Sequence, residues 1–450
     1  MVVLAVYIAS PVRQEEDSFR VNEVAQQIVD HGTIGLAGTN THGPIWIEKT
    51  DHGPYSRYPL GPSLIAVPFV AGADLAGWPP DTAARDSRLQ VIEASAVTAT
   101  TAALVFLLAE VGLGALAARR RRLSAVGVAL VFAFGTAAWS TASRAMWQHG
   151  PSMLCLAIAA YFALRSRKEP RFAAWMGLPL GAAYFMRPTS SIPIAALSLW
   201  VLVCRRRQLV GYLVGLGAML GAFVFVSENS FHMLLMPYYT DRLAGFQVPG
   251  VSLAGDLVSP ARGLLVFSPV VVLALVGVVI ARRSSALDGL SLALIGIVVA
   301  HWLVVSSAGD WWGGYSYGPR DMSDMLPFLV VLSLPAIAWL ARRAGSPQRT
   351  AAVSGMAVLV GASVLFNAGG AISARALQWN SDAPLTLGRL WSWHDPQFLR
   401  GLSWLAPHAD YAQLLALLVF AGVAAGLLHS APHFMNARRE LRSRLFVSSG

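Results

Sequence analysis

The sequence predicts an all-α polytopic membrane protein, and three observations carry that prediction. Of 450 residues, 55% are hydrophobic and only 13% charged, against about 25% charged residues in soluble domains. Roughly a dozen apolar runs approach the ~20 residues that a helix needs to cross ~30 Å of hydrocarbon. Positive charge gathers in six clusters, at 119–122, 165–171, 205–207, 282–283, 342–349 and 438–444, which hold 20 of the 34 Lys and Arg residues. Cytoplasmic loops of membrane proteins carry that excess. The isoelectric point near 10.0 therefore reflects topology, and no nucleic-acid partner is implied. Cys155 and Cys204 both lie in apolar runs, so neither a disulfide framework nor a cysteine metal cluster is indicated.

Residues 1–9 are apolar but too short to span, and they lack the basic flank of a signal peptide. They are expected to be the outer end of a first helix cut short by the recorded start. Eleven further spans are expected at 88–117, 123–141, 150–166, 172–186, 189–204, 209–228, 264–281, 286–306, 324–342, 350–369 and 411–430, about twelve in all. This set puts every basic cluster, and the C-terminus, on the cytoplasmic side. The outer loops are then 10–87, 142–149, 229–263, 307–323 and 370–410. In the first, residues 17–31 repeat apolar positions at helical spacing (Phe19, Val21, Val24, Ile28, Val29). Residues 58–77 resemble a span, but Pro59, Pro62, Pro68 and Asp74 interrupt them. Counting them as a span would also move residues 119–122 outside, so they are expected to lie along the interface. With no internal repeat or linker, residues 1–450 form one membrane domain elaborated by the loops 10–87 and 370–410.

Residues 309–321, Gly-Asp-Trp-Trp-Gly-Gly-Tyr-Ser-Tyr-Gly-Pro-Arg-Asp, stand out among the outer loops. Glycines let a backbone turn tightly and approach a ligand. Trp and Tyr suit a boundary between lipid and water, and an arginine among them can grip a phosphate through two parallel hydrogen bonds. Such a surface fits a ligand with a greasy tail, a phosphate and a sugar. Trp312, Tyr315 and Asp310 are its candidate substrate contacts. Arg320 is either a phosphate contact or a brace paired with Asp321 or Asp310.

Several segments, in order, resemble integral-membrane glycosyltransferases of the GT-C superfamily, in the branch that includes aminoarabinose transferases of lipid A and protein O-mannosyltransferases. Glu16-Asp17-Ser18-Phe19-Arg20 resembles the family's acidic motif, and the helix ending at Asp30-His31-Gly32 its first juxtamembrane helix. Ser56-Arg57-Tyr58-Pro59-Leu60-Gly61 resembles the segment that opens the second, with Leu60 where the family has a second proline. Trp147-Gln148-His149-Gly150-Pro151, Arg187-Pro188-Thr189, Ser259-Pro260-Ala261-Arg262-Gly263 and the block at 309–321 resemble further segments.

The resemblance implies a GT-C-like fold and an inverting glycosyltransferase using a polyprenyl-phosphate sugar. The acceptor would be a glycan, lipid or protein hydroxyl on the outer face of a bacterial cytoplasmic membrane. It implies a first-loop carboxylate as general base: Asp17, with Glu16 and Glu15 as rivals. Arg57 and Tyr58 lead the donor-phosphate contacts, followed by Arg20, Arg187, Arg262 and Arg320. His149 is a further substrate contact. No Asp-x-Asp or histidine metal pattern occurs in the outer loops, so no cofactor and metal-independent transfer are expected, without ruling out a divalent cation. The alternative is a lipid-linked glycan polymerase or flippase. A flippase would normally carry repeat symmetry and charged midplane helices, whereas intramembrane ionisable residues here are few (Glu93, Glu110, His301). A polymerase would concentrate its arginines in one large outer loop.

Overall fold

In hydrocarbon a backbone can satisfy its hydrogen bonds only within a helix or a closed barrel, and this chain takes the first route. The computed structural model describes residues 1–14, 16–38, 46–342 and 347–403. The span expected at 411–430 and the cluster at 438–444 lie outside these.

The chain opens with α1 (Val2–Ala9), a 3₁₀ turn at Glu16–Ser18 and α2 (Val21–His31). α2 stops at Gly32, whose φ of 65° is the left-handed C-cap glycine favours. A hairpin, β1 (Ile47–Thr50) and β2 (Gly53–Ser56), then leads to α3 (Gly61–Leu75). The sequence signalled the two short helices but not the hairpin between them.

α4 (Ala83–Gly112) follows, with the Thr82 hydroxyl accepting from the Arg85 N–H as N-cap. Next come α5 (Ala118–Phe134), α6 (His149–Arg165), α7 (Phe172–Trp175), α8 (Gly177–Met186), α9 (Ser191–Cys204) and α10 (Leu209–Phe231). The expected loop 229–263 carries α11 (Pro237–Ala244) and α12 (Val251–Val258). Beyond it lie α13 (Leu264–Phe267), α14 (Val272–Arg283), α15 (Gly289–Ser306), α16 (Leu326–Arg342) and α17 (Pro347–Ile372). Three short helices, α18 (Arg375–Asp382), α19 (Leu387–Leu390) and α20 (Gln397–Leu402), close the described chain.

The structure corrects several expected spans. The run at 264–281 is broken between α13 and α14 by a 3₁₀ turn at Pro269–Val271, because Pro269 has no N–H to continue the ladder. The run at 123–141 ends as α helix at Phe134 and resumes as a π turn, Ala138–Ala142. The run at 172–186 is divided into α7 and α8. Among the described residues, five helical stretches are long and apolar enough to cross a bilayer: Ala83–Gly112, Arg206–Phe231, Gly289–Ser306, Arg320–Arg342 and Thr350–Ile372. The protein is an all-α, multi-pass membrane protein.

The largest buried cluster joins Leu108 of α4, Phe132 of α5, Leu164 of α6, Leu294 of α15 and Phe328 of α16. α4 packs on α5 and α6, α8 on α6 and α10, α9 on α15, and α14 on α16. This packing sorts the loops to two ends. At one end, Arg167 after α6 grips Asp288 before α15 with a fork of two bonds, 2.9 and 2.7 Å. The other end gathers the starts of α4 and α6, the end of α8 and the entry to α16. There the motif residues meet.

Candidate active site

The 3₁₀ turn that carries Asp17 rests on α4: the Ser18 hydroxyl donates to Gln90 Oε1 (2.6 Å), and Gln90 Nε2 donates to the Ser18 carbonyl (3.2 Å). This presents the Asp17 carboxylate to two donors from distant parts of the chain. The Tyr58 hydroxyl donates to Oδ1 at 2.9 Å, and Arg320 Nη1 donates to Oδ2 at 2.5 Å. Asp17 keeps 26% of its side chain exposed while Arg320 keeps 9%. Burial alone would raise the carboxyl's pKa, but the Arg320 charge and the two hydrogen bonds outweigh it and hold Asp17 below the usual carboxylate range. Burial and the neighbouring Asp17 charge push Tyr58 the other way, so it stays a hydroxyl donor. The result is an ionised, partly accessible carboxylate. Glu16 shares the turn, and Glu15 lies outside the described residues.

Arg320 reaches Asp17 because its loop folds tightly. Gly313, Gly314 and Gly318 all have φ near +60 to +70°, at 69°, 62° and 59°, a region open to glycine at little cost. A Cβ at Gly318 would lie 2.9 Å from the Phe267 ring. The guanidinium sits 4.5 Å from the Trp147 ring centroid. Its Nε is buried with no partner among the described residues.

Beneath it lies a second, drier group of charges. Arg187 donates from Nη2 to Asp321 (2.7 Å) and from Nη1 to Asp324 (2.9 Å). His149 contacts Arg187 and lies 3.2 Å from Asp324 and 3.5 Å from Asp321. The Thr189 hydroxyl donates to Asp324 at 3.2 Å. Opposing carboxylates keep Arg187 charged against its burial. The alternative pairing of Arg320 with Asp321 or Asp310 is therefore not what forms.

The rim is more open. Arg242 of α11 donates to both oxygens of Asp310 (2.9 and 3.2 Å) and lies over Tyr238. Tyr238 leans on Tyr58 with ring centroids 5.2 Å apart, and Trp46 flanks Tyr58 at 5.5 Å. Arg57 pairs with Asp241 at the surface. Tyr315 is exposed, and Trp312 is half-buried against Trp311. Burial opposes the Arg242 charge, but Tyr238, Asp321 and Asp310 raise its pKa. Sequence reading passed over Arg242 and Tyr238. Their only signal was Pro237 starting a helix on which Tyr238 and Arg242 share a face one turn apart.

Two expected phosphate contacts are committed elsewhere. Arg262 is 1% exposed and spends all five N–H donors on neutral oxygens. Nε donates to the Trp312 carbonyl, Nη1 to the Ala261 carbonyl and Gln397, and Nη2 to the Gly314 carbonyl and Asn380. It staples the glycine-rich loop to α18 and α20. Arg20, at the N-cap of α2, is buried against Glu23. Buried arginines need such partners, and sequence alone does not reveal which partner wins.

An apolar cavity of about 360 Å³ lies between α5, α14, α16 and α17, with Thr136, Val270 and Leu326 toward the site and Ser124, Leu340 and Val353 at the far end. Among the described residues, no group of three or more His, Cys, Asp or Glu side chains is placed to hold a metal.

No protein-family model matches the chain, and no curated protein matches it significantly. Solved structures do. The structure of ArnT from Cupriavidus metallidurans bound to undecaprenyl phosphate is similar at a TM-score of 0.50 and 15% identity, over 96% of this chain and 78% of that one. The apo structure of the same protein is similar at a TM-score of 0.49 and 15% identity, over 96% and 77%. The fold is therefore ArnT-like, the GT-C-like architecture that the sequence motifs resembled.

Proposed function

We propose that this chain is an inverting membrane glycosyltransferase that moves a sugar from a polyprenyl phosphate to an acceptor hydroxyl. The observation that carries the reading is Asp17: an ionised, accessible carboxylate gripped by Arg320 and Tyr58 at a rim of arginines and aromatics. The ArnT-like fold supports it, since a protein of that fold binds undecaprenyl phosphate.

In this reading the acceptor oxygen attacks the anomeric carbon while the bond from that carbon to the phosphate oxygen breaks, which inverts the centre. Asp17 takes the hydroxyl proton. The bond electrons leave with the lipid phosphate, whose growing charge is met by preorganised cations, commonly the largest catalytic term. Arg320, Arg242 and Arg57 are assigned that role, with Tyr58 beside them. The direct ion-pair partners of Arg242 and Arg57 among the described residues are the exposed carboxylates Asp310 and Asp241, which a phosphate can replace. When Arg320 turns from Asp17 to the phosphate, Asp17 loses the charge that depresses its basicity and becomes the better base. Arg187 with His149 braces the floor, and Trp312 and Tyr315 line the sugar or acceptor side. The apolar cavity beside Leu326 suits the prenyl chain.

The protein is assigned to a bacterial cytoplasmic membrane as one domain. Loops 10–87 and 370–410 are on the outer face with the site, and the basic clusters and C-terminus are inside, as the Lys/Arg asymmetry argues. The acceptor class is a glycan, a lipid or a protein, and the sugar a hexose or a pentose. The test is transfer in proteoliposomes, with purified protein given radiolabelled polyprenyl-phosphate sugars and a membrane extract. Label moving from one donor to an acceptor supports the assignment. Lipid-linked glycan crossing the bilayer with no transfer overturns it in favour of a flippase.

A further inference from the structure

At the end of the bundle away from Asp17, a cavity of about 450 Å³ opens between α6, α14, α15 and α16. Its walls are apolar: Leu164 of α6, Ile280 of α14, and Leu332 and Leu334 of α16. Its charged and hydroxyl side chains are Arg167, Ser284, Ser291 and Arg342. All four sit at helix ends, just past α6, at the C-cap of α14, in the first turn of α15 and at the last residue of α16. The polarity is therefore confined to one mouth, and among the described residues no acid lines the cavity.

Its depth is that of one leaflet. Along α16 the lining runs from Val331 to Arg342, about 16 Å at the rise of an α-helix. The hydrocarbon core is ~30 Å thick, so the walls cover the half that the acyl chains of one leaflet fill. This face of α16 differs from the one that lines the apolar cavity beside Leu326.

The mouth carries surplus positive charge. Asp288, the acid beside it, is already answered by the Arg167 fork and by the Ser291 N–H and hydroxyl, at 2.9 and 2.6 Å. That fork uses Nε and Nη2 of Arg167, and Nη1 donates to nothing among the described residues. Arg342 is exposed and has no ion-pair partner among the described residues. Arg282 and Arg283, also exposed, end α14 next to Ser284.

These observations select one occupant. An anion without a tail would leave the apolar walls unfilled. A neutral lipid would leave the arginines without a counter-charge. A peptide would bring backbone groups that hydrocarbon cannot satisfy. Basic pockets between membrane helices suit anionic headgroups. We infer that this cavity holds an acyl chain of an anionic phospholipid, whose phosphate is gripped by Arg342 and by Nη1 of Arg167. The inference stands apart from the glycosyltransferase reading.

The experiment titrates purified full-length protein in detergent with phosphatidylglycerol, with phosphatidylcholine of the same chains and with glycerol phosphate, and counts bound lipid by native mass spectrometry. The variants are R342Q, A338W, which fills the cavity, and V214W on the exposed face of α10 as a control. The expected result is phosphatidylglycerol bound at least fivefold more tightly than phosphatidylcholine. R342Q should lose about fivefold, the value of one cation toward an anionic lipid, A338W tenfold or more, and V214W nothing. Equal binding of the two lipids, or an R342Q that keeps the full preference, overturns the headgroup contact. An A338W that binds phosphatidylglycerol like wild type overturns the location. Glycerol phosphate that competes as tightly as phosphatidylglycerol overturns the lipid in favour of a soluble phosphate. Phosphatidylglycerol with a photoreactive chain decides the location in wild type, whether or not A338W folds. Crosslinks within 277–291 and 331–342 support the cavity, and crosslinks spread over the exposed face at 209–226 overturn it.

Discussion

Replacing Asp17 with asparagine tests the site at its centre, because the change keeps shape and removes one property. The amide oxygen of the replacement can still accept from the Tyr58 hydroxyl, the 2.9 Å bond of the native side chain. The negative charge opposite Arg320 and the proton acceptor are lost. Loss of a general base typically costs 10²–10⁴-fold, which is about 3–5 kcal/mol on the barrier. Stability also falls. Removing one partner of a buried ion pair costs ~3–5 kcal/mol, but Asp17 is 26% exposed and water can partly replace it. The expected loss is about 1–3 kcal/mol. The sign with pH follows from the lowered pKa of Asp17. Its stabilisation is present above the ordinary carboxylate range and is lost as pH falls below it, so Asp17→Asn should melt with a flatter acid limb than wild type. The assay is donor-dependent transfer in proteoliposomes, with donor binding and melting measured in parallel. Transfer within tenfold of wild type in a folded, donor-binding Asp17→Asn refutes the assignment. If Glu16→Gln instead abolishes transfer, the base is Glu16.

Other predictions extend outward. Arg242→Gln should lower kcat/KM for donor about 10- to 100-fold, the value of one or two charge-assisted hydrogen bonds to phosphate; an unchanged donor dependence counts against it. Arg262→Lys should destabilise by roughly 3 kcal/mol or more, because an ammonium cannot reach five oxygens in a fork, and limited proteolysis should then cut within residues 309–320. Asp256 lies buried on α12, where burial raises its pKa to about 7, against a 2.7 Å bond from Ser306, with Asp321 adding to the rise. Its stabilisation is full below the ordinary carboxylate value and lost as pH rises through about 7. Melting against pH should show that fall in wild type and not in Asp256→Asn.

Much of this was legible in the chain. The placement of α4, α6, α9, α10, α15, α16 and α17 follows the apolar runs closely, because burial of a long apolar helix is a local property of about 20 residues. The pairing of arginines was not. Arg20, Arg57, Arg187, Arg262 and Arg320 look alike as residues beside Pro, Gly or aromatic neighbours. They differ only in the oxygens that reach them: Glu23, Asp241, the Asp321–Asp324 pair, a ring of neutral carbonyls and Asp17. The charged partners lie from 3 to 303 positions away along the chain. Pro269 shows the same limit on a smaller scale, since hydropathy registers an apolar run while the missing N–H divides it.

The sequence by itself determined that this is a helical membrane protein with its basic residues clustered between apolar runs, that residues 309–321 form a glycine-rich aromatic loop, and that acidic residues precede α2. Those features depend on composition and on neighbours within a few turns. Only the tertiary structure decided that Asp17, Tyr58 and Arg320 share one hydrogen-bonded group and that Arg242 joins them at the rim. Each of these rests on contacts closed by packing distant helices together, and a hydrogen bond's strength depends on ångströms that no local pattern encodes.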